Sequence, residues 1–201
     1  MGWFYGQSFI YLTELIFTTM TTIIIIAVIA LLVLWVIGVQ RKLVKQDELC
    51  KNALSQIGVQ QSSRWDALTA LAELVKSYSE YEFNTLTKII AERKNIGMNS
   101  SAGDVDAQEN ALRNLTTHIN AVAEQYPQLK ASENYTKAMD SVNLYENQVR
   151  MSRMVYNDSV TLMNRMVRQI PESLIAGPLG FKEREYLKVE EQKTQMPSMK
   201  I

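Results

Sequence analysis

The side chains in this sequence that could do chemistry are few and far apart. The chain of 201 residues has one His, His118, and one Cys, Cys50. A Cys–His pair can serve as nucleophile and base, but only within hydrogen-bond reach and with a lowered thiol pKa. His118 precedes an apolar position of a helical pattern, so we expect it at the bundle edge or facing water. We interpret Cys50 as a small, partly buried residue near a membrane.

Paired carboxylates and metal ligands offer no better candidate. Glu80 and Glu82 are two apart on a predicted helix, so their side chains point roughly 200° from each other and cannot act together. A structural zinc site needs about four Cys or His ligands, and a helical di-iron site uses two Glu-x-x-His motifs. The segment 177–182, GPLGFK, lacks the spacing of a phosphate-binding loop. We therefore predict no catalytic residue, no metal, no cofactor and no enzymatic activity.

Charge is balanced overall but unevenly distributed. The 21 Lys and Arg match 21 Asp and Glu, which argues against nucleic-acid binding, because that depends on clustered positive charge. A single thiol excludes an internal disulfide. All Lys and Arg lie at or after Arg41, whereas the first 40 residues carry one charge, Glu14. The chain therefore has two compositionally different parts joined at Arg41.

Residues 15–40, LIFTTMTTIIIIAVIALLVLWVIGVQ, predict a transmembrane helix. As a helix this uncharged segment would be roughly 39 Å long, enough to cross a hydrocarbon core of ~30 Å. A buried helix of a soluble protein would keep a polar stripe. A cleaved signal peptide would have a basic start and a shorter apolar core. We therefore expect the segment to be retained as a membrane span.

The flanks of the span predict an orientation. Arg41 and Lys42 follow the span, and no Lys or Arg precedes it, so the positive-inside rule places the bundle in the cytoplasm and residues 1–14 outside the cell membrane. Trp3, Tyr11 and Trp35 fit the aromatic residues that concentrate at membrane interfaces. With Arg41 and Lys42 they are the membrane-interface candidates.

Apolar spacing predicts that residues 41–171 form helices. Steps of three and four residues indicate a first helix from Leu43 to Asn95, a second from Asp106 to Tyr126, and a third from Ser132 to Pro171. The third keeps a period near 3.5, continued to Ile170, which favours supercoiled packing. We expect a set of methionines to fill the core: Met139, Met151, Met154, Met163 and Met166.

The predicted fold is therefore all-α. One N-terminal transmembrane helix precedes an elongated antiparallel bundle of three long helices. A short C-terminal helix, expected from Glu183 to Gln192, falls within the C-terminal segment and tail, 172–201. Gly58 lies inside the first long helix, where it costs ~1 kcal/mol relative to Ala and permits a local bend.

Several motifs resemble the LemA family of bacterial membrane-anchored helical proteins. The first long helix contains LSQIGVQQSSRWDALTALAELVKSYSEYE. This is similar to a family stretch with a Gln-Val/Ile-Asp-Val-Gln segment, an Arg before an Asp-Leu, and a Leu-Val-x-x-Val-Lys-x-Tyr run that ends in Glu. Further similar motifs follow in the expected order: YPQLKA at 126–131, EN at 146–147, YND at 156–158, IAG at 175–177 and GFKE at 180–183. Gly58, Ser62-Ser63 and Pro178 depart from the family pattern.

The resemblance implies a single-pass bacterial inner-membrane protein of unassigned biochemistry. The magnetosome MamQ proteins are a related branch, and nothing in the sequence places the chain in it. We expect a non-enzymatic scaffold or adaptor that contacts the lipid bilayer and other membrane or membrane-associated proteins, with self-association left open. The alternative is a sensor whose bundle binds a ligand and changes its helix packing. Phe181, Tyr186 and Leu187 either pack against the bundle or form an apolar docking patch.

Overall fold

The computed structural model describes residues 2–188, with side chains described from Leu15 onward. The described residues form helices and loops without strands, which confirms the all-α prediction. The helices are α1 (Gly2–Lys76), α2 (Glu80–Ile90), α3 (Ala102–Gln125), α4 (Pro127–Lys130), α5 (Glu133–Arg168) and α6 (Ser173–Ala176).

Helix α1 runs without interruption from the apolar segment into the bundle. It is the one described helix that is long and apolar enough to be a candidate membrane span. The apolar side chains of this segment are exposed, from Leu15 to Ile37. The hydroxyl groups of Thr19 and Thr22 donate to carbonyls three residues earlier, at 2.9 and 2.8 Å. These hydroxyl groups therefore have hydrogen-bond partners within the helix. The interior of a membrane requires this, because it offers no water.

The predicted single helix from Leu43 to Asn95 is wrong beyond Lys76. Residue Ser79 is extended, and its hydroxyl accepts from the Glu82 amide at 3.2 Å, so it caps the start of α2. Ser-x-x-Glu is the spacing of a capping box, which gives the backbone an alternative to continuing α1. Helix α2 then returns along α1, where Arg93 reaches Asp66 at 2.7 Å.

Gly58 allows the loop after α2 to cross α1 at very short range. A Cβ at this position would overlap the backbone carbonyl of Ile96. Helix α1 continues through Gly58 without a break. Close approach of two backbones therefore accounts for the glycine.

Helix α3 begins at Ala102, earlier than the predicted Asp106. The side chain of Ser101 accepts from the Asp104 amide while the Asp104 carboxylate accepts from the Ser101 amide, a complete capping box. Helix α3 runs in the same direction as α1, since Gln61 contacts Val105 and Arg64 contacts Glu109. It ends at Gln125, before Pro127 as predicted. The predicted Ser132 cap of α5 is confirmed, since its hydroxyl accepts from the Tyr135 amide.

Helix α5 runs antiparallel to α1 along the whole bundle. Gln46 donates to the Ser159 carbonyl at 2.9 Å, and Arg64 meets Glu146 at 3.1 Å much further along both helices. Because α2 and α3 lie only beside the later part of α1, four helices surround the end of the bundle far from the span. Near the span, α1 and α5 are the only long helices in the described part of the chain.

Two hydrophobic clusters correspond to these two ends. The distal cluster includes Trp65, Leu68, Leu71, Leu86, Leu112, Leu115, Ile119, Leu129 and Val142. The proximal cluster includes Val39, Leu43, Cys50, Leu54, Ile57, Ile96, Tyr156, Val160, Met163, Ala176 and Leu187. The predicted apolar stripes thus supply both cores. Three residues assigned to the core are instead exposed: Met151, Met154 and Ile170.

A short helix follows α5, but at Ser173–Ala176 and not from Glu183. Gly180 has a φ of 80°, a conformation that favours glycine, and it reverses the chain. Residues 181–188, which we call the C-terminal strap, then run along the bundle without helical structure. The prediction of a helix is wrong for residues 183–188, and residues 189–192 lie outside the described part of the chain.

Candidate functional site

The structure does not bring His118 and Cys50 together. His118 is exposed on α3, and its Nδ1 lies 3.0 Å from the Asn114 carbonyl oxygen. Because Gln61 of α1 lies beside Val105 of α3, His118 is roughly 35 Å further along the bundle than Cys50. Cys50 is fully buried in the proximal cluster, and burial raises the pKa of its thiol. Neither side chain is arranged for nucleophilic catalysis.

The paired acidic residues of α2 stabilise the start of that helix. Glu80 and Glu82 lie in the first turn of α2, where a negative charge stabilises the positive end of the helix dipole. Within the described part of the chain, no group of three or more His, Cys, Asp or Glu side chains is placed to hold a metal ion.

The C-terminal strap is held by two asparagines of α5. Asn164 accepts from the Arg184 amide at 2.8 Å and donates to its carbonyl at 2.9 Å. Asn157 accepts from the Leu187 amide at 2.9 Å and donates to its carbonyl at 3.2 Å. Each asparagine therefore satisfies both backbone groups of one residue, as a neighbouring strand would.

The spacing of the asparagines matches an extended segment. Seven residues of helix α5 separate Asn157 from Asn164, a rise of about 10.5 Å. Three residues of extended chain, from Arg184 to Leu187, cover about 10 Å. Additional contacts continue the series: Tyr156 donates to the Glu185 carbonyl at 3.1 Å, and Arg153 donates to the Lys188 carbonyl at 2.8 Å. The strap thus acts as a third element beside α1 and α5.

An ion pair fixes the strap to α1 as well. The guanidinium of Arg184 donates to Oδ1 of Asp47, with Nε at 3.1 Å. Burial opposes ionisation of Asp47, but the hydrogen bonds from Lys51 and Arg184 outweigh it and lower the pKa of the carboxyl. The strap, α1 and α5 are therefore joined by charged and neutral hydrogen bonds around the buried Cys50.

The predicted docking residues separate into two kinds of position. Leu187 is buried in the proximal cluster, and Phe181 is half-buried against it. In this conformation these two side chains therefore pack against the bundle, the first of the two alternatives. Tyr186 is exposed, so docking through this residue stays a prediction.

A buried cation joins three helices where the two clusters meet. The guanidinium of Arg64 on α1 contacts Glu109 on α3 at 2.7 Å and Glu146 on α5 at 3.1 Å. The side chains of Arg64 and Glu109 are only 3% and 8% exposed. Gln61 adds a hydrogen bond to Glu109 at 3.1 Å. A buried charge without its partner would be costly. The network therefore favours the one alignment of α1, α3 and α5 in which these charges meet.

The sequence contains a signal for this network and for the strap. Glu109 lies three residues before Leu112 on the apolar stripe of α3, and Arg64 precedes the core residue Trp65. Asn164 follows the core residue Met163 in the same way. A polar residue on a buried stripe needs a partner, but the stripe alone does not say which one.

The outer face of α5 carries apolar side chains that no described residue buries. Leu144, Met151, Val155 and Leu162 are exposed, and they follow one another at steps of seven, four and seven. These are the steps of a heptad seam, in which Gln148 and Asp158 take the remaining positions. We call these four apolar residues the outer seam of α5.

A cleft lies where the loop after α2 crosses α1. It has a volume of about 420 Å³ and is lined by Gly58, Gln61, Ser62, Arg93, Lys94, Asn95, Ile96 and Gln108. The Oε1 atom of the buried Gln61 has no hydrogen-bond partner among the described residues. This cleft combines an unsatisfied acceptor with two cationic side chains.

The membrane-interface candidates lie along α1. Trp35 is partly exposed on the last turns of the apolar segment, and Arg41 and Lys42 are exposed after it. Trp3 and Tyr11 belong to the part of α1 whose side chains are not described. Burial against the rest of the bundle begins at Val39, between Trp35 and the cations.

Comparison with known proteins gives a family match and a distant relative. The model of the LemA family matches residues 53–201. The protein LemA of Metamycoplasma hominis is 25% identical over 138 residues, which is 65% of this chain and 60% of that protein. The chain thus spans less than two thirds of the length of this relative.

Proposed function

Since the chain belongs to the LemA family, a membership that specifies a fold more than a reaction, we propose that it is a membrane-anchored, non-enzymatic adaptor. In this proposal residues 15–40 hold the bundle at the bacterial inner membrane, and the outer seam of α5 binds a helix of another membrane-associated protein. The seam is the observation that carries the proposal.

The continuous helix α1 supports anchoring. The helix carries an uncharged apolar segment directly into the bundle, so the bundle stands at a fixed place relative to the membrane. The Lys and Arg after the segment favour a cytoplasmic bundle. In a Cys50→Ala background, a Ser198→Cys variant should resist a membrane-impermeant maleimide in intact cells. Rapid labelling would place the bundle outside.

The outer seam supports a helical partner. Exposed apolar side chains at heptad steps fit the apolar face of an amphipathic helix laid along α5. Single apolar side chains scattered over a surface do not indicate a binding site. A regular spacing from Leu144 to Leu162 does indicate one. Gln148 and Asp158 in the same seam would fix the register of the partner helix.

Photocrosslinking in native membranes tests the seam. A benzoylphenylalanine at Met151 should form an adduct with a partner protein, and the same probe at the exposed Asn143 should not. Val155→Lys should abolish the adduct without changing the thermal unfolding of the chain, because Val155 is exposed. Crosslinks only to lipid, or an adduct that persists in Val155→Lys, would refute the proposal. An adduct with a second copy would replace the adaptor by a homo-oligomer.

The cleft at Gly58 favours a second candidate, a sensor. A ligand that donates to Gln61 Oε1 would bind beside the Arg64 network, where α1, α3 and α5 meet. If the ligand bound one of two helix packings more tightly than the other, it would shift the equilibrium towards that packing. Thermal-shift screening of the full chain in detergent against anionic metabolites should find a stabilising ligand whose effect is lost in Gln61→Leu. A screen without such a ligand would count against the sensor.

A further inference from the structure

The end of α5 lies level with the end of the apolar segment of α1. Gln46 contacts the carbonyl of Ser159, and the two helices are antiparallel. Counting nine residues from that contact in each helix places Arg168, the last residue of α5, level with Ile37. The chain between Gln169 and Gly180 is therefore located beside the membrane-facing end of the bundle.

This segment exposes large apolar side chains. Ile170 is 76% exposed, Leu174 is 69% exposed, and Leu179 is 46% exposed. We call these three residues the foot. The same segment is not loosely attached, because Ala176 is buried in the proximal cluster and Ile175 packs against it. The foot is thus an apolar surface supported by buried neighbours, and on α1 the side chains of Trp35, Val36 and Ile37 are exposed as well.

The length of the apolar segment places the foot at the depth of the lipid headgroups. A hydrocarbon core of ~30 Å needs about 20 helical residues, and residues 15–40 exceed this. Starting at Leu15, the core would end close to Trp35, an aromatic residue of the kind found at interfaces. The level of Ile37, where α5 ends, is then just outside the hydrocarbon.

Charge around the foot matches an anionic lipid surface. The exposed basic side chains near this level are Arg41, Lys42, Lys45, Arg165, Arg168 and Lys182. Four acidic side chains lie beside them. Glu172 is half-buried, and Glu183 lies 3.9 Å from Arg168. Asp47, which pairs with Lys51 and Arg184, lines a cleft with Leu179 and Lys182, and Glu48 is exposed near Lys45. Basic groups around an apolar surface are typical of segments that lie in the membrane interface.

We propose that the foot, Ile170, Leu174 and Leu179, inserts into the interface of the same bilayer that holds the span. The protein would then contact the membrane at two places, and the second contact would fix the tilt and rotation of the bundle against the bilayer. This inference rests on the proposed anchoring by residues 15–40.

Fluorescence quenching by spin-labelled lipid tests the foot in the full chain. A Cys50→Ala background with one added cysteine is labelled with an environment-sensitive dye and reconstituted into vesicles of phosphatidylcholine and phosphatidylglycerol. The label sites are Leu174 and Ile170 for the foot, Ile25 for the span and Tyr81, an exposed residue of α2, as the matched control. Circular dichroism verifies that each labelled variant keeps its helical content.

The labels at Leu174 and Ile170 should shift to the blue and lose most of their fluorescence to a quencher near the headgroups. The label at Tyr81 should do neither. If the foot labels behave like the Tyr81 label while the separate Ile25 variant is quenched by deep spin labels, the foot is overturned and the anchoring stands. An unquenched Ile25 label would overturn both. A blue shift that grows with chains per vesicle, without lipid quenching, would assign the foot to a second copy.

Discussion

The two ends of the bundle reach a closed core by different means. Around the distal cluster, α1, α2, α3 and α5 supply apolar side chains from four directions. Around the proximal cluster, α1 and α5 are the only helices of the described chain that run along its length. Helix α3 contributes Ala102 and Val105 from its first residues, and the C-terminal strap and the loop at Ile96 cover the remaining sides. Two helices alone cannot enclose a core, so irregular backbone takes the place of further helices near the span.

This difference changes which interactions close the core. Helices satisfy their own backbone groups, so the distal cluster can be covered by apolar side chains. A strap has no internal hydrogen bonds, and its backbone groups would be costly to bury unsatisfied. Asn157 and Asn164 therefore supply the partners that a sheet neighbour would give. We expect the proximal end to be the one that opens locally.

The largest effect should come from the network between the two ends. Arg64→Met leaves Glu109 buried without a cation, and we expect a loss of about 3–5 kcal/mol in the free energy of unfolding. Urea unfolding in detergent micelles, followed by circular dichroism, measures it. Adding Glu109→Met should restore much of the loss. Arg93→Met is the matched control, because its exposed pair with Asp66 is worth about 1 kcal/mol or less. Equal losses for Arg64→Met and Arg93→Met would contradict the assignment.

A smaller loss should follow when Gly58 is replaced. In Gly58→Ala the new Cβ would overlap the carbonyl of Ile96 and push the loop away from the proximal cluster. Overpacking of this kind costs about 1–3 kcal/mol, partly offset by the higher helix propensity of alanine. Gly103→Ala is the control, since its Cβ would meet only the Ser101 hydroxyl at 3.6 Å. The same unfolding measurement should show Gly58→Ala less stable than Gly103→Ala, and the reverse order would refute the packing role.

Removing one asparagine should open the proximal end locally. Asn164→Ala deletes both hydrogen bonds to Arg184, and buried groups left unsatisfied cost about 1–3 kcal/mol. Since Leu187 and Cys50 share the proximal cluster, maleimide labelling of Cys50 should become roughly 10- to 100-fold faster. Asn143→Ala, at an exposed position of α5, should leave the rate unchanged. An unchanged rate in Asn164→Ala would mean that the strap does not protect the thiol.

The smallest effect should be a dependence on pH. The pKa of Asp47 is lower in the folded protein than its ordinary value, so its contribution to stability is present above about pH 4 and is lost as the pH falls below that. Asp47→Asn should therefore be less stable than the unmodified chain at neutral pH and equally stable in strong acid. Unfolding midpoints across pH measure this. Asn143→Ala, at an exposed position of α5 that does not titrate, should keep the pH dependence of the unmodified chain.

Much of the fold was predictable because apolar spacing is a local property. The stripes of α1, α3 and α5 were read correctly, as were the stop before Pro127 and the cap at Ser132. The starts of α2 and α3 were missed although Ser79 and Ser101 have capping-box spacing. Both serines lie in polar segments, where capping-box spacing alone does not distinguish a cap from a position inside a helix or a loop.

The proximal end could not be predicted in the same way. Whether residues 183–188 form a helix depends on what they contact, because their own sequence has no strong turn or cap. The partners of Arg184 are more than a hundred residues away at Asp47 and twenty residues away at Asn164. Interactions over such separations are set by the packing of α1 against α5, which local spacing does not specify.

The sequence by itself determined the helical class, the apolar segment before Arg41 and the family resemblance, because each depends on composition, period or local motif. The tertiary structure decided that α1 is continuous, that Arg64 meets Glu109, that the strap replaces a helix, and that Ile170 and Leu174 lie beside the end of the apolar segment. The physical reason is that apolar burial is nearly nondirectional and is recorded in every stripe. Polar partnership is directional, and it exists only after the helices have fixed their register.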